Sequence, residues 1–288
     1  MTSLLERHGK FLPLIPEPRA SKVKLSFIVP AYNEEFNIRS AVDDLLGGLR
    51  LLPSKYEIEI FLIDDCSSDA TKNIMSEIRD DNPDEKIFIL GNEQNSGVGA
   101  CFVRGVSASQ SDLVSIIPGD GVISSTAIYT LCNGVDRDQL RLTNRVSRHA
   151  DNRLRSQASK LFALWFSVIT KQKIVDPHSI FLIPTTLAKT ICLKLWGQQY
   201  RASDFKLDNS YHLILFNELF QKCQKFETIE IAVNRNRELD SRVWNLRFLG
   251  RFIVLCIKIS VKNCVSRKSP YFVAAQKTNR YGRRKYKN

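Results

Sequence analysis

Carboxylates stand in this chain where apolar runs stop. Glu34 follows Pro30 and Tyr32 after Leu25–Val29, Asp64 and Asp65 follow Ile58–Ile63, and Asp120 sits in Pro118-Gly119-Asp120-Gly121 after Leu113–Ile117. Adjacent carboxylates repel unless a cation, a hydrogen-bonding ligand or a helix N-terminus compensates them. Hard oxygens of this kind hold divalent cations and, through them, diphosphates, while flanking glycines let the backbone approach a ligand. A second feature is Asn95-Ser96-Gly97-Val98-Gly99-Ala100, with Arg104 following at helical spacing. Its glycines could turn the backbone N–H groups of a helix start toward an anion. It is not the dinucleotide fingerprint, because no GxGxxG follows the first apolar run. Each feature has a plainer alternative: Ser67, Ser68 or Asp69 can cap a helix, and glycine turns occur in ordinary loops.

The positioning elements follow from periodicity. Leu25–Val29 is a continuous apolar run, as in a strand covered on both faces of a parallel sheet. Ile38, Val42, Leu45, Leu49 and Leu52 then recur at helical spacing, with Glu34 and Glu35 expected in the first turn. A strand at 58–63, a helix at 69–81, a strand at 86–90, a helix at 98–109 and a strand at 113–117 complete the first half. Such alternation predicts a parallel sheet with right-handed crossovers. In such sheets ligands bind outside the strand C-termini, so Pro30, Tyr32, Glu34, Asp64 and Asp65 should converge. Beyond Asp120 the rhythm loosens. Leu154, Ala158, Leu161, Phe162, Trp165 and Ile169 mark a helix, 180–183 a short strand, 211–224 a helix and 228–233 a closing strand. No repeat or linker divides the halves.

Composition sets the outer limits. With 288 residues, 43% hydrophobic and 25% charged, the chain can bury one large core or two small ones, which excludes disorder throughout. Apolar runs such as Phe252–Ile257 are far shorter than the roughly 20 residues of a membrane span, and no secretion signal is expected. The seven cysteines are scattered without zinc-site spacing, which suggests a reducing, cytoplasmic setting. The four histidines are equally dispersed, so no triad or metal cage can be argued from them. The net charge of +12 is concentrated at the end, where residues 266–288 hold eight basic residues and no acid. A basic tail interleaved with Tyr271, Phe272, Tyr281 and Tyr286 could touch nucleic acid or anionic lipid, or simply be a solvated terminus. Nucleic acid is the weaker partner class, since it leaves the acidic strand ends unexplained.

Taken in order and spacing, Pro30-Ala31-Tyr32-Asn33-Glu34, Ile63-Asp64-Asp65, Asn95 to Ala100 and Gly119-Asp120-Gly121 closely resemble the family 2 glycosyltransferases of GT-A fold. The resemblance is nearest to the branch of dolichyl-phosphate mannose synthase and polyprenyl-phosphate sugar transferases. It implies an α/β fold with a single Rossmann-like, mostly parallel sheet flanked by helices. It also implies a nucleotide-sugar donor, with Pro30, Tyr32, Glu34 and Asp65 around base and ribose and Asp64, Gly97, Arg104 and Gly119 at the donor site. Asp120 would face the diphosphate and its Mg or Mn ion. The family's acidic motif reads Asp-x-Asp, whereas Pro118 stands here at the first position and Val122 where relatives carry a polar ligand. Metal dependence is therefore an open expectation. A non-catalytic relative that binds nucleotide sugar is the alternative function. A nucleotidyltransferase fits less well, because Pro30–Glu34 is not a glycine-rich basic loop.

The second half resembles the same branch more loosely. Val175-Asp176-Pro177-His178-Ser179-Ile180-Phe181 and Asn217-Glu218-Leu219 match two of its acidic elements, and residues 236–242 match an element near donor and acceptor phosphates. Arg237, Ser241 and Arg242 are thereby implied as acceptor or phosphate ligands, and Asp176 as the base for a hydroxyl acceptor. A structural role for Asp176 and an exposed one for Glu218 are the alternatives. The implied reaction is an inverting displacement, with a polyprenyl-phosphate lipid or a cell-surface glycan precursor as acceptor. The expected plan is an extended arm at 1–22, a GT-A domain at 23–242 and an appendage at 243–288. Within the domain the nucleotide-sugar half spans about 23–125 and the acceptor half about 126–242.

The appendage reads as an amphipathic helix followed by the basic tail. Arg247, Arg251, Lys258 and Lys262 fall within an arc of about 60° on an otherwise apolar helix over 243–265. Such a helix suits an anionic membrane surface at the cytoplasmic face, or packing on the catalytic body or on a second copy in a homodimer.

Overall fold

The computed structural model describes residues 22–145, 153–176, 180–196, 211–222, 226–232, 256–257 and 259–260. A strand at Val23–Ala31 (β1), a helix at Ile38–Leu49 (α1), a strand at Tyr56–Asp64 (β2), a helix at Thr71–Asp81 (α2) and a strand at Ile87–Gly91 (β3) open the chain. Val98–Ala108 (α3), Leu113–Ile116 (β4), Ser125–Cys132 (α4) and Arg141–Arg145 (β5) follow. Arg153–Thr170 (α5), Phe181–Pro184 (β6), Thr185–Trp196 (α6), Tyr211–Lys222 (α7) and Glu227–Ile231 (β7) complete it. The arm at 1–21, Arg237, Ser241, Arg242 and the basic tail lie outside the described residues. Of the helix expected at 243–265, residues 256–257 and 259–260 are described, and they are helical.

The seven strands of the described residues join one sheet in the order β3-β2-β1-β4-β6-β5-β7. The first four are mutually parallel, as alternation requires. β6 runs antiparallel to both β4 and β5, so β5 regains the direction of β1 to β4, and β7 lies parallel to β5. Helices cover both faces. On one, Phe27, Val29, Leu45, Met75, Ile78 and Ile128 bury against α1, α2 and α4. On the other, Ile28, Phe61, Phe102, Phe166, Phe181 and Phe216 build an aromatic core with α3, α5, α6 and α7. There Phe102 meets Phe181 edge-on at 5.7 Å and Phe181 meets Phe216 at 5.3 Å, geometries that add to simple area burial. Ile259 is buried in this second core and Ile257 is 58% exposed.

Several local details depart from the sequence reading. Glu34 and Glu35 precede α1 instead of occupying its first turn, because Asn33 takes a left-handed φ of 57°. The carbonyl of Glu34 instead accepts the N–H groups of Asn37 and Ile38. Three elements carry no clear periodicity and were not anticipated: α4, β5 and α6. β5 reads Arg-Leu-Thr-Asn-Arg, too polar for a core strand on pattern alone. Arg141 is nevertheless buried there, paired with Glu227 at 2.8 Å and donating to the carbonyls of Leu131 and Asn133. Glu218 is not an exposed helix residue: its side chain is 1% exposed and paired with Lys194.

Candidate active site

The parallel strands deliver their C-termini to one rim of the sheet. Ala31 pairs with Asp64, Asp64 with Gly91 and Ile28 with Ile116, and the register persists beyond the strands. The N–H of Asp65 donates to the carbonyl of Ala31, that of Asn92 to Asp64 and that of Gly119 to Pro30. α1 and α2 pack on one face and α3 on the other, so the chain reverses its winding between β1 and β4. Loops leaving β1 and β4 therefore diverge around a crevice, the usual ligand site of an open α/β sheet. Gly119 makes the close approach possible there: a Cβ on it would lie 2.8 Å from the carbonyl oxygen of Pro30.

The β1–α1 and β2–α2 loops are laced together. The side-chain oxygen of Asn33 accepts the N–H of Ser68 at 2.8 Å, and Ser67 Oγ accepts the N–H of Asn33. Thr71 Oγ1 accepts from Glu34 N–H, while Glu35 and Asp69 exchange bonds, each accepting a backbone N–H on the other's loop. Burial opposes ionisation of Asp69, but hydrogen bonds from the Thr71 hydroxyl and from the Thr71 and Glu35 N–H groups outweigh it and hold its carboxyl below the usual value. Cys66, at φ 64°, is the second non-glycine residue of these loops in the left-handed region. Such conformations persist where surrounding bonds over-determine them, and they cluster at functional sites.

Asp64 and Asp65 are both buried at the rim, and both are engaged by the protein. Asp64 Oδ1 accepts the N–H of Ser67 at 3.1 Å. Asp65 is only 3% exposed and accepts three donors: Asn92 Nδ2 at 2.7 Å, Ser96 N–H at 2.9 Å and Gly97 N–H at 2.7 Å. The N–H groups ahead of α3 thus face an anion, and that anion is Asp65. Gly97 adopts φ 88°, open to glycine, to turn its N–H that way. Asp120 follows β4, where Oδ1 accepts the N–H of Val122. Glu34 accepts from Asn37 Nδ2 at 2.9 Å, and Pro30 and Tyr32 are half-buried beside it. Arg104 is exposed on α3, about 9 Å along the axis from Val98.

A further pair reaches the same rim from the second half. β5 shares the direction of β4, so its last residue, Arg145, ends there, and the run into β6 brings Asp176 beside it. Arg145 Nε lies 2.6 Å from Asp176 Oδ2 and Nη2 lies 3.0 Å from Oδ1, a bidentate fork. The Asp176 side chain is 1% exposed and that of Arg145 27%. β5 lies two strand spacings, about 10 Å, from β4. Sequence reasoning missed Arg145 because an arginine in a polar run without periodicity carries no signal of its own.

For a divalent cation, the described residues form no cluster of three or more ligands. Asp120 is the carboxylate at the β4 tip, beside Pro118 and a Val122 that is 8% exposed and offers no side-chain oxygen. This donor set suits a cation that keeps several waters and takes one carboxylate with substrate phosphates, as Mg2+ commonly does.

The family model for Glycosyl transferase family 2 matches residues 26–188. A dolichyl-phosphate beta-glucosyltransferase of Dictyostelium discoideum is 33% identical over 102 residues, covering 34% of this chain and 31% of that protein. The probable glycosyltransferase YdaM of Bacillus subtilis is 24% identical over 238 residues, covering 81% of this chain and 50% of its own. The chain thus spans half or less of the length of these relatives. Among solved structures, glucosyl-3-phosphoglycerate synthase from Mycobacterium tuberculosis, crystallised with Mn2+ and UDP-glucose, superposes with a TM-score of 0.58 at 17% identity, over 85% of this chain and 80% of that one. The same protein has also been crystallised with Mg2+ and UDP. The shared fold is GT-A.

Proposed function

Because the chain belongs to glycosyl transferase family 2, we propose that it is an enzyme that moves a sugar from a nucleotide-sugar donor to an acceptor, with the donor lying across the switch point between β1 and β4. The observation that carries this reading is the convergence of the β1, β2 and β4 tips, with their carboxylates, on one rim. Pro30, Tyr32, Glu34 and Asp64 line the donor side. Asp65 and Gly97 act there together, the carboxylate fixing the loop that closes that side. Gly119 lets the β4 loop lie against β1.

Asp120, with diphosphate oxygens and water, would hold a Mg2+ or Mn2+ ion. Such an ion neutralises charge that develops on the departing nucleoside diphosphate. The reaction on this reading is one inverting displacement: the anomeric carbon gains a bond to the acceptor oxygen as its bond to the diphosphate breaks. An acceptor hydroxyl needs a base, whereas a phosphate arrives already ionised. Both carboxylate oxygens of Asp176 are taken up by the guanidinium fork of Arg145, which suits an electrostatic role better than the proton-accepting one. That supports a phosphate acceptor, and the relatives' lipid-phosphate substrates make a polyprenyl phosphate the chemistry of choice over a glycan precursor. Arg237, Ser241 and Arg242 belong to the phosphate side of this reading. No helix among the described residues is long and apolar enough to cross a membrane. On this reading contact with lipid is peripheral, at the cytoplasmic face, with residues 243–288 contributing.

A thermal-shift screen of nucleoside diphosphates and sugar nucleotides, with and without Mg2+ or Mn2+, tests the donor. Free ligand at 100 times its dissociation constant stabilises by about 2.7 kcal/mol, a readily measured shift. Asp120→Ala should lose sugar transfer and the metal-dependent part of the shift, the shift being read against the variant's own ligand-free melting temperature because it also loses the acceptor of the Val122 N–H. Absence of any selective shift would refute donor binding. Binding without turnover on every donor and acceptor pair would point to the non-catalytic alternative.

A further inference from the structure

We infer that the outward face of α5 is a second docking surface, built for an anionic lipid bilayer and separate from residues 243–288. Of nine large hydrophobic side chains exposed among the described residues, four fall within fifteen residues here: Leu161 at 69%, Leu164 at 61%, Val168 at 65% and Val175 at 48%. The first three project within an arc of about 60° on the helix. Lys160, exposed, borders one side of that arc, and the exposed Lys171 and Lys173 follow the helix end. The opposite face does the packing, with Phe166 fully buried 6.5 Å from Phe220 of α7. The exposed stripe therefore does not serve the core.

Charge selects the occupant. From Arg153 to Val175 the chain has no acidic residue. A second copy meeting this face through the same segment would bring no counter-charge, and like-charge contacts are unfavourable. The segment 243–265 has no acid either. An anionic headgroup layer supplies the missing charge, with the lysines reaching up to it and the aliphatic stripe entering the acyl boundary. The position fits as well. Ser167 Oγ bonds both the N–H and the carbonyl of Ile174 at 3.0 Å, folding the chain back directly after α5. Asp176 at the rim is two residues on. A bilayer on this face thus lies beside the pair proposed for the acceptor side, and the inference rests on the lipid-phosphate part of that reading.

The test is flotation of the full chain with phosphatidylcholine vesicles, with and without phosphatidylserine, comparing wild type with Leu161→Gln/Leu164→Gln/Val168→Gln and with Lys160→Glu/Lys171→Glu. Thermal melting and the nucleoside-diphosphate shift serve as controls of fold and donor site. Wild type should float only with phosphatidylserine, and each variant should bind at least about tenfold more weakly with both controls intact. Equal binding by wild type and variants, or none by wild type, would overturn the surface while leaving donor chemistry standing. A wild-type dimer in sedimentation velocity that the triple variant abolishes, without vesicle binding, would assign the face to a second copy and equally overturn it.

Discussion

Replacing Asp65 by alanine removes the acceptor of three hydrogen bonds from a side chain that is 3% exposed. Ser96 is 1% exposed, so its N–H cannot recover a water partner without the loop moving. Hydrogen bonds to a charged group are worth about 1.5–3 kcal/mol each, and a stranded buried donor costs about 1–3 kcal/mol. The contributions overlap, and the Gly97 and Asn92 donors are only half-buried, so a total loss of about 3–5 kcal/mol is expected, at the upper end for single substitutions. Urea denaturation reads the loss as a lower midpoint at unchanged slope. Hydrogen exchange localises it: the Ser96 and Gly97 amides should lose protection in Asp65→Ala, while those of α1 keep theirs against their own global stability. Asp65→Asn should recover little, since its NH2 group must face one of the donors. A loss below about 1 kcal/mol in Asp65→Ala would mean that the donors are satisfied without it, and would refute the assignment of Asp65 as the internal anion of this loop.

Arg145→Met removes the bidentate partner of the buried Asp176 carboxylate and should cost about 3 kcal/mol by denaturant unfolding; the double variant with Asp176→Leu should recover most of it, and failure to recover would show the two side chains acting independently. The depressed Asp69 carboxyl contributes stability that is fully present above its ordinary value of 3.8 and lost as pH falls through the lower folded value. The urea midpoint of wild type should accordingly fall more steeply on acidification below about pH 4 than that of Asp69→Asn, and parallel curves would contradict the sign. Burial pushes the thiols of Cys132 and Cys192 up to about 12, and that of Cys101 higher still, whereas Cys66 is exposed on the rim. Thiol reagent at neutral pH should modify Cys66 ahead of those three, and bound nucleoside diphosphate should slow it; peptide mapping checks both. Ser115 Oγ is buried without a partner among the described residues, so Ser115→Ala should raise the melting point or leave it unchanged, and a clear fall would reveal a bond that the hydroxyl makes.

The first four strands were legible because each is a near-continuous apolar run ended by glycine, proline or carboxylate, and alternation with helices fixes their direction. The rim followed from that direction alone, which is why Asp64 and Asp120 could be placed on it in advance. Sequence carries no information on which donors a buried carboxylate meets, so the engagement of Asp65 with Ser96 and Gly97 became visible only in three dimensions. The second half hid more. β5 is held by ion pairs and carbonyl contacts of Arg141 and Arg145, which join residues 86 and 31 positions apart in sequence with no periodicity to mark them. α6 starts directly from β6, leaving no turn to announce it.

The reversed strand β6 carries a lesson about how such a chain can change. Because it runs against its neighbours, the segment before it, not after it, is what arrives at the rim. Residues 171–176 are tied to β5 through Asp176 and Arg145 and to α5 through Ser167, while Ile180 joins β5 through Thr143. Lengthening or shortening that approach re-aims Asp176 without altering strand order, the winding reversal or any group on the donor side. On the proposed reading, acceptor preference is uncoupled there from donor preference, and a lineage can diversify one while inheriting the other intact.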